Sequence, residues 1–590
     1  MHPIRTSKAY IRSTPFVFMY QAGSGLVLAA TTSALKELAM GALYLKGRVA
    51  VTTGDFTFLF TTWQGWLILL LAVLSLYLFI ALESCGNVAY AKHWVLGERT
   101  TVREVLKEGF TSTKRLLSPF GLVMVLYVAL LAPLLGIGSS LSVTNGLHMP
   151  YFITSVIESV PLYHALYLLA CVLFAVFGFA GTFFFQGIVY DGLPAWESYK
   201  QSVRLMKDNL SNYLANMVLF FVILLLLGIL IGLVIPALLT IAYGLAVPSA
   251  GQRVFSLLYA LLIGLALSSI IAVFSFYLTL KHTQLYRRYT AGEEDVLGVP
   301  GKSGLVPFVV CSVVVALLFI PISHLMDAHF EELFPKRSDV AVIAHRAGGS
   351  EAPENTVAAL DVAANAGAWG AEIDIQRTAD GHYVVNHDDD FKRVAGDSRT
   401  PSQMTLEEVK QLTVCNPDGT PSTVPVATYE EMLEGSRDRL VLFVELKGKT
   451  ADRQMADDAV RIARDMGMLD QCVFISLKYD LIDYLAKNYD DVQTGFLEFA
   501  SFGDGTELSG DYLAMEEELA TSITVDDFHE KEKKILVWTV NSKRSQKYFL
   551  DSECDAIITD NITQAAEVRT ELEGRDDITR ALERVARSLF

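Results

Sequence analysis

At 590 residues, with hydrophobic residues at 52% and a mean hydropathy of +0.36, the chain is too apolar for an ordinary soluble enzyme and long enough for several domains. Its net charge of −17 is unevenly spread: residues 1–335 carry 20 Lys and Arg against 16 Asp and Glu, and residues 336–590 carry 28 against 49. So acidic a second half argues against nucleic acid as a partner, because binding a phosphate backbone needs a basic surface.

The chain begins MHPIRTSKAYIRSTP, which lacks the short apolar core and small-residue cleavage site of a removable signal peptide. Seven stretches approach the roughly 20 apolar residues that cross a bilayer: Pro15 to Leu35, Trp66 to Leu82, Phe120 to Leu141, Tyr163 to Tyr190, Met217 to Tyr243, Phe255 to Leu280 and Leu305 to Ser323. The first is interrupted by Gln21 and Gly-Ser-Gly at 23–25. Lys and Arg collect at the N-terminus and in the loops 84–118, 191–212 and 281–303, whereas 142–160 has none and 244–254 has only Arg253. By the positive-inside rule those basic segments are cytoplasmic, and everything after Ser323 lies outside. Lys36, Lys46 and Arg48 in the loop 36–65 are the exception. Few charges fall within the spans, which favours an anchor in the cell membrane over an ion pathway, with lipid handling or transport as the alternative. A linker with Pro335, residues 324–339, separates residues 1–323 from a soluble domain at 340–590.

That domain opens with an apolar run, Val340 to Ala344, which delivers His345 and Arg346 where the pattern stops and Gly348-Gly349 loosens the chain. Pro353 to Thr356 starts an Ala-rich helix, with Asn355 or Thr356 as its cap. In the strand Ala371 to Gln376, Glu372 and Asp374 are two apart and share a face. Two carboxylates on the inner side of a strand repel one another unless a cation lies between them. Tyr383 to His387 follows too closely for a parallel crossover, and with Asp380-Gly381 as the turn it is the return arm of a hairpin that brings His387 over the site. Further strands are expected at 440–446, 473–477, 493–497, 512–516, 535–540 and 556–559. With 340–345 and 371–375 they make eight, alternating with helices, the pattern of an α/β domain and of a (β/α)8 barrel, whose reactive groups collect at the C-terminal strand ends. Of the six cysteines, none has zinc-ligand spacing. Cys472 and Cys554 could pair if the domain is exported.

The residues His345-Arg346, Glu372 and Asp374, His387-Asp388, and Glu445 with Lys447 resemble, in order, the HR, ExD, HD and ExK signature of the glycerophosphodiester phosphodiesterase family. PENT at 353–356, WTVN at 538–541 and IITD at 557–560 extend the resemblance over about the last 250 residues. The family usually has Gly after HR and this chain has Ala347, so a slightly re-routed loop is expected there. The resemblance implies a TIM barrel that hydrolyses glycerophosphodiesters to sn-glycerol 3-phosphate and an alcohol.

Glu372, Asp374 and Glu445 either pair with Arg346 and Lys447 or hold a hard divalent cation, Ca2+ or Mg2+, which three converging carboxylates suit better. His345 and His387 are the expected acid/base pair. Arg346 and Lys447 are expected to hold the phosphate, and Trp538 either packs or walls the substrate. Glu354 and Asn355 either start a helix or bond a metal ligand. Competing substrates are a lysophospholipid or a polyglycerophosphate wall polymer, and a transporter or receptor with a degenerate barrel is the rival class.

Overall fold

The computed structural model describes residues 3–52, 57–98, 100–128, 160–292, 305–337, 339–498, 502–520 and 522–589, together with Ile153, Thr154 and Ile157.

The N-terminal part is a helical membrane domain. Six helices among the described residues have the length and apolarity to cross a bilayer: Thr14–Tyr44, Trp63–Leu96, Pro161–Val189, Ala195–Ala246, Gln252–Ala291 and Val306–Ala328. They correspond to six of the seven expected spans. For the remaining one, Phe120 to Leu141, only the first turns are described, as the helix Pro119–Leu126; from residue 129 it lies outside the described residues. The helices outrun their apolar cores because basic segments expected as loops continue them, as Lys200, Arg204 and Lys207 do within the helix Ala195–Ile229. Likewise the first helix passes through the Gly-Ser-Gly at 23–25 to Tyr44, and the expected linker is helical to Ala328 and again over Phe330–Leu333. Large apolar side chains such as Leu225, Leu226 and Leu238 are exposed on these helices, the pattern of helices whose solvent is hydrocarbon.

Strand β1 (Ala50–Val51) follows the first helix. In the second half come β2 (Ala341–Ala344), β3 (Gly370–Arg377), β4 (Tyr383–Val385), β5 (Val441–Leu446), β6 (Cys472–Ser476), β7 (Gln493–Glu498), β8 (Phe502–Gly503), β9 (Tyr512–Glu516), β10 (Lys534–Trp538) and β11 (Ala556–Thr559). Strands β2, β3, β5, β6, β7, β9, β10 and β11 pair in parallel in that order, and β11 pairs with β2, closing an eight-stranded barrel. β4 runs antiparallel to β3 with Ile375 opposite Val385, as the hairpin reading requires.

Alternation along each strand sorts the side chains. Ile343, Phe443, Val473, Ile475, Leu497, Ala514, Leu536 and Ile558 fill the barrel's interior. Ile373, Ile375, Leu442, Val444 and Phe474 face outward into the layer beneath the helices. Glu372 and Asp374 have the opposite parity to Ile373 and Ile375, so they point inward. The final helix, Asp577–Leu589, carries Arg584 and Arg587 to Asp551 (3.0 and 3.1 Å), just before β11. All six cysteines are free: Cys472 is buried on β6 and Cys554 lies beside the Phe549 carbonyl, so they do not pair.

Candidate active site

Four strand ends build the site. On β3 and β5 the parallel register sets Asp374 beside Glu445, and Glu372 sits one inward position below Asp374. All three are buried, and each offers an oxygen within 4.8 Å of the others. Lys447, two residues beyond Glu445 and so on the same side, places Nζ 2.8 Å from Asp374 Oδ1 and 2.9 Å from Glu445 Oε2.

Burial, with Asp374 and Glu445 alongside, pushes the Glu372 carboxyl well above its ordinary value, and burial pushes Glu445 up to about 7 despite Lys447. Burial also opposes ionisation of Asp374, but Lys447, His387 and Arg346 together hold it well below the usual carboxylate range. One lysine thus fails to neutralise three clustered acids. Glu372 Oε1 is buried with no hydrogen-bond donor. An all-oxygen donor set with surplus negative charge and an unpartnered inner oxygen fits a hard divalent cation.

His345 begins the turn after β2. Its Nδ1 lies 2.7 Å from Asp560 Oδ1 at the end of β11, and its Nε2 is 4.0 Å from Glu372 Oε2. Asn541 steadies Asp560, donating from Nδ2 to Oδ2 at 2.5 Å and accepting the Asp560 N–H at 2.8 Å. His387 is delivered by the hairpin. Gln376, the next inward residue of β3, donates to the Asn386 and Asp388 carbonyls (2.7 Å each), pinning the loop over the mouth. His387 Nδ1 is 2.9 Å from Asp388 Oδ1, and the two imidazole rings are 6.5 Å apart. Burial, which Asp374 opposes and Lys447 reinforces, lowers His387 to about 4.

Arg346 donates its backbone N–H to Glu372 Oε2 at 2.8 Å, while its guanidinium leans on Glu354 at 3.3 Å and keeps a buried Nε with no acceptor. Arg346 and Ala347 both have positive φ, 51° and 62°. Glu354, expected either to start a helix or to bond a metal ligand, does neither: it receives Arg393 Nη1 and Nη2 at 2.8 and 2.6 Å as well as Arg346. Arg393 also donates from Nε to Asp388 at 2.8 Å. Asn355 donates from Nδ2 to Asp374 Oδ2 at 2.8 Å, and the helix cap is Thr356, whose hydroxyl accepts the Ala359 N–H. Trp538 packs on the interior cluster and donates from Nε1 to the Ala514 carbonyl at 2.8 Å.

Asp560, Asn541, Gln376 and Arg393 were not singled out by sequence reasoning. Asp560 and Asn541 end the IITD and WTVN strings, and a polar residue closing an apolar strand was the same signal that picked out His345. Arg393 follows an irregular loop and carries no such mark. Arg346, Glu354, Arg393, Asn541 and Asp560 line a cleft of about 490 Å3 that opens from the site to the loop around Asn416.

A family model described as the glycerophosphoryl diester phosphodiesterase family matches residues 345–564. Another, described as the membrane domain of glycerophosphoryl diester phosphodiesterase, matches residues 16–320. The chain is 27% identical over 232 residues to a glycerophosphodiester phosphodiesterase of Caldanaerobacter subterraneus, a match covering 37% of this chain and 93% of that protein. It is 33% identical over 150 residues to glycerophosphodiester phosphodiesterase 1 of Mus musculus, covering 24% of this chain and 45% of that one. In structure it is similar to a phosphodiesterase of Oleispira antarctica in complex with the product sn-glycerol-3-phosphate, at 24% identity and a TM-score of 0.35, over 39% of this chain and 96% of that one.

Proposed function

The chain belongs to the glycerophosphoryl diester phosphodiesterase family and is an enzyme that hydrolyses glycerophosphodiesters; from that premise we propose that it is a metal-dependent, membrane-anchored phosphodiesterase releasing sn-glycerol 3-phosphate and an alcohol. The observation that carries this reading is the buried carboxylate trio between two carboxylate-braced histidines. The full set of site residues counts against a degenerate barrel.

Glu372, Asp374 and Glu445 would hold the divalent cation, Ca2+ or Mg2+, which would supply the charge that neutralises the phosphate and lessens its repulsion of a nucleophile. Lys447 keeps Asp374 and Glu445 in place and adds a point charge. Arg346, whose buried Nε has no acceptor, binds the phosphate, with its Nη1 held by Glu354, which Arg393 fixes in turn. Asn355 orients Asp374. Asp560 and Asp388 each hold a histidine Nδ1, which leaves Nε2 of each ring for proton transfer. One Nε2 takes the proton of the attacking oxygen, and the other gives a proton to the departing alcohol oxygen. Trp538, at the end of β10, is assigned as a wall of the substrate site.

The catalytic domain is assigned to the outer face of the cell membrane. Supporting this, the Val49 carbonyl accepts the Asp504 N–H and Arg253, itself paired with Asp327, reaches Asp577 of the C-terminal helix, whereas the basic segments join one another elsewhere, through Arg287 on the Val95 carbonyl and Tyr286 on Asp191 and Gln201. In intact cells lacking native cysteines in the protein, a Cys at Lys449 should label from outside and one at Lys207 should not; the reverse would place the barrel inside.

The function is tested by incubating the purified full-length protein with glycerophosphocholine and measuring sn-glycerol 3-phosphate. Its release is expected. Hydrolysis to glycerol and phosphocholine instead would refute the assignment.

A further inference from the structure

The two ends of the barrel's first and last strands have different neighbours. At their C-terminal ends, β2 and β11 present His345 and Asp560 to the site. At their N-terminal ends the chain is bound to the membrane domain. The linker enters β2 there, Arg569 donates to the Val340 carbonyl at 2.6 Å, and Arg337 pairs with Glu553 three residues before β11. Across this end lies the helix Asp577–Leu589, which touches both domains. Its Asp577 pairs with Arg253 at 3.3 Å, its Arg580 with Glu331 at 3.2 Å, and its Arg584 donates to the Pro335 carbonyl at 2.7 Å. Leu257, Phe330, Phe334 and Ala581 form one buried cluster between them, and Arg253 and Arg580 lie over the Phe330 ring at 4.8 and 5.2 Å. A second tie is antiparallel: Ala50 and Val51 of β1 pair with Gly503 and Phe502 of β8, and Ala50 joins the barrel's outer apolar layer.

We propose that the enzyme stands on the membrane by the closed end of its barrel, with its mouth turned away from the bilayer, so that its substrates are phosphodiesters arriving from the solvent and not lipids lying in its own membrane. The inference rests on the assignment of the site to phosphodiester hydrolysis and narrows its substrate class. At about 3.3 Å per residue, the run from Val340 to His345 alone lifts the site roughly 15–20 Å above the docked end, before the helix Phe330–Leu333 and the rest of the linker are counted. The headgroup of a lysophospholipid seated in the bilayer does not span that height. A small soluble diester reaches the mouth by diffusion and has no height to span, and a long glycerophosphate chain that extends into the solvent is long enough to reach it.

The test is a ruler built into the substrate. Full-length protein is reconstituted in vesicles together with a non-exchanging dialkyl lipid whose headgroup ends in a glycerophosphodiester, either attached directly or through oligo(ethylene glycol) spacers of increasing length, and free glycerophosphocholine is assayed alongside. Turnover is expected to be at least ~10-fold lower for the direct attachment than for spacers that exceed about 20–30 Å, because an intramolecular reach shorter than the span leaves the effective concentration near zero. Equal turnover at every spacer length overturns the proposal, whereas hydrolysis of the free diester with no turnover of any tethered one upholds the solvent as the source of substrate. Failure with the free diester itself would instead overturn the catalytic reading on which the proposal stands.

Discussion

His345 Nδ1 stands 2.7 Å from Asp560 Oδ1, a contact between the first and last strands of the barrel that exists only because β11 pairs with β2. Closure of the sheet therefore also assembles the histidine–carboxylate pair. Burial would raise the Asp560 carboxyl, but His345, Arg346 and Asn541 hold it far below its ordinary value, so it is ionised at any working pH and orients the ring. Asp560→Asn should keep the fold and lower kcat by ~10²-fold or more with KM little changed, since a wrongly held imidazole fails mainly in the transition state. Asp560→Glu should recover part of the loss. A matching rise in KM would make Asp560 a substrate-binding group instead.

The two histidines are separable by leaving group. His345→Ala and His387→Ala should each lose at least ~10² in turnover. With a p-nitrophenyl ester, whose leaving group needs no proton, the variant lacking the general acid should recover much of its loss and the variant lacking the base none. Equal recovery in both would leave the rings as phosphate or metal holders.

Ala347 occupies a backbone conformation, φ 62°, that costs a residue with a side chain roughly 1–2 kcal/mol. Ala347→Gly is expected to leave stability unchanged or raise it by up to ~1 kcal/mol, the relief being partly offset by the freer unfolded chain. Denaturant unfolding decides it, and a loss above ~1 kcal/mol would show that the buried methyl matters more than the strain.

The barrel was legible in the sequence because its strands are short apolar runs that alternate with helix signals, and the carboxylate trio because spacings of two put Glu372 with Asp374 and Glu445 with Lys447 on common faces. The hairpin followed from the short gap before Tyr383. What could not be read depends on contacts distant in sequence. The pairing of His345 with Asp560 needs closure, and the Arg393 bridge between Glu354 and Asp388 needs the path of an irregular loop. Lys447, expected on the phosphate, lies between Asp374 and Glu445, which the register of β3 with β5 sets side by side. The helices outran their apolar spans because hydropathy marks where lipid begins and not where helix ends.

Asp551 is the buried junction of the C-terminal helix with the barrel, paired with Arg575, Arg584 and Arg587 at 3.0, 3.0 and 3.1 Å. Burial opposes its ionisation, yet these guanidiniums lower its carboxyl below the ordinary value. A depressed folded value means that its stabilisation is complete above the unfolded carboxylate's pKa of about 4 and is lost as pH falls through the lower one. Asp551→Ala should cost about 3 kcal/mol by stranding three arginines, and Asp551→Asn should flatten the acid limb of stability against pH. Unfolding of the full-length protein in detergent from pH 7 to 3 measures both; an unchanged acid limb in Asp551→Asn would assign that limb to other carboxylates.

The central claim is that Glu372, Asp374 and Glu445 hold a divalent cation on which glycerophosphodiester hydrolysis depends. The most direct measurement is a paired titration of wild type and Glu445→Gln with Ca2+ or Mg2+ after exhaustive chelation, reading thermal unfolding and sn-glycerol 3-phosphate release together. Wild type should be inactive in chelator, and should regain activity and gain thermal stability over the same concentration range, because binding to the native state alone stabilises it. Glu445→Gln should stay folded and show neither response. Full turnover by the wild type in excess chelator would contradict the account.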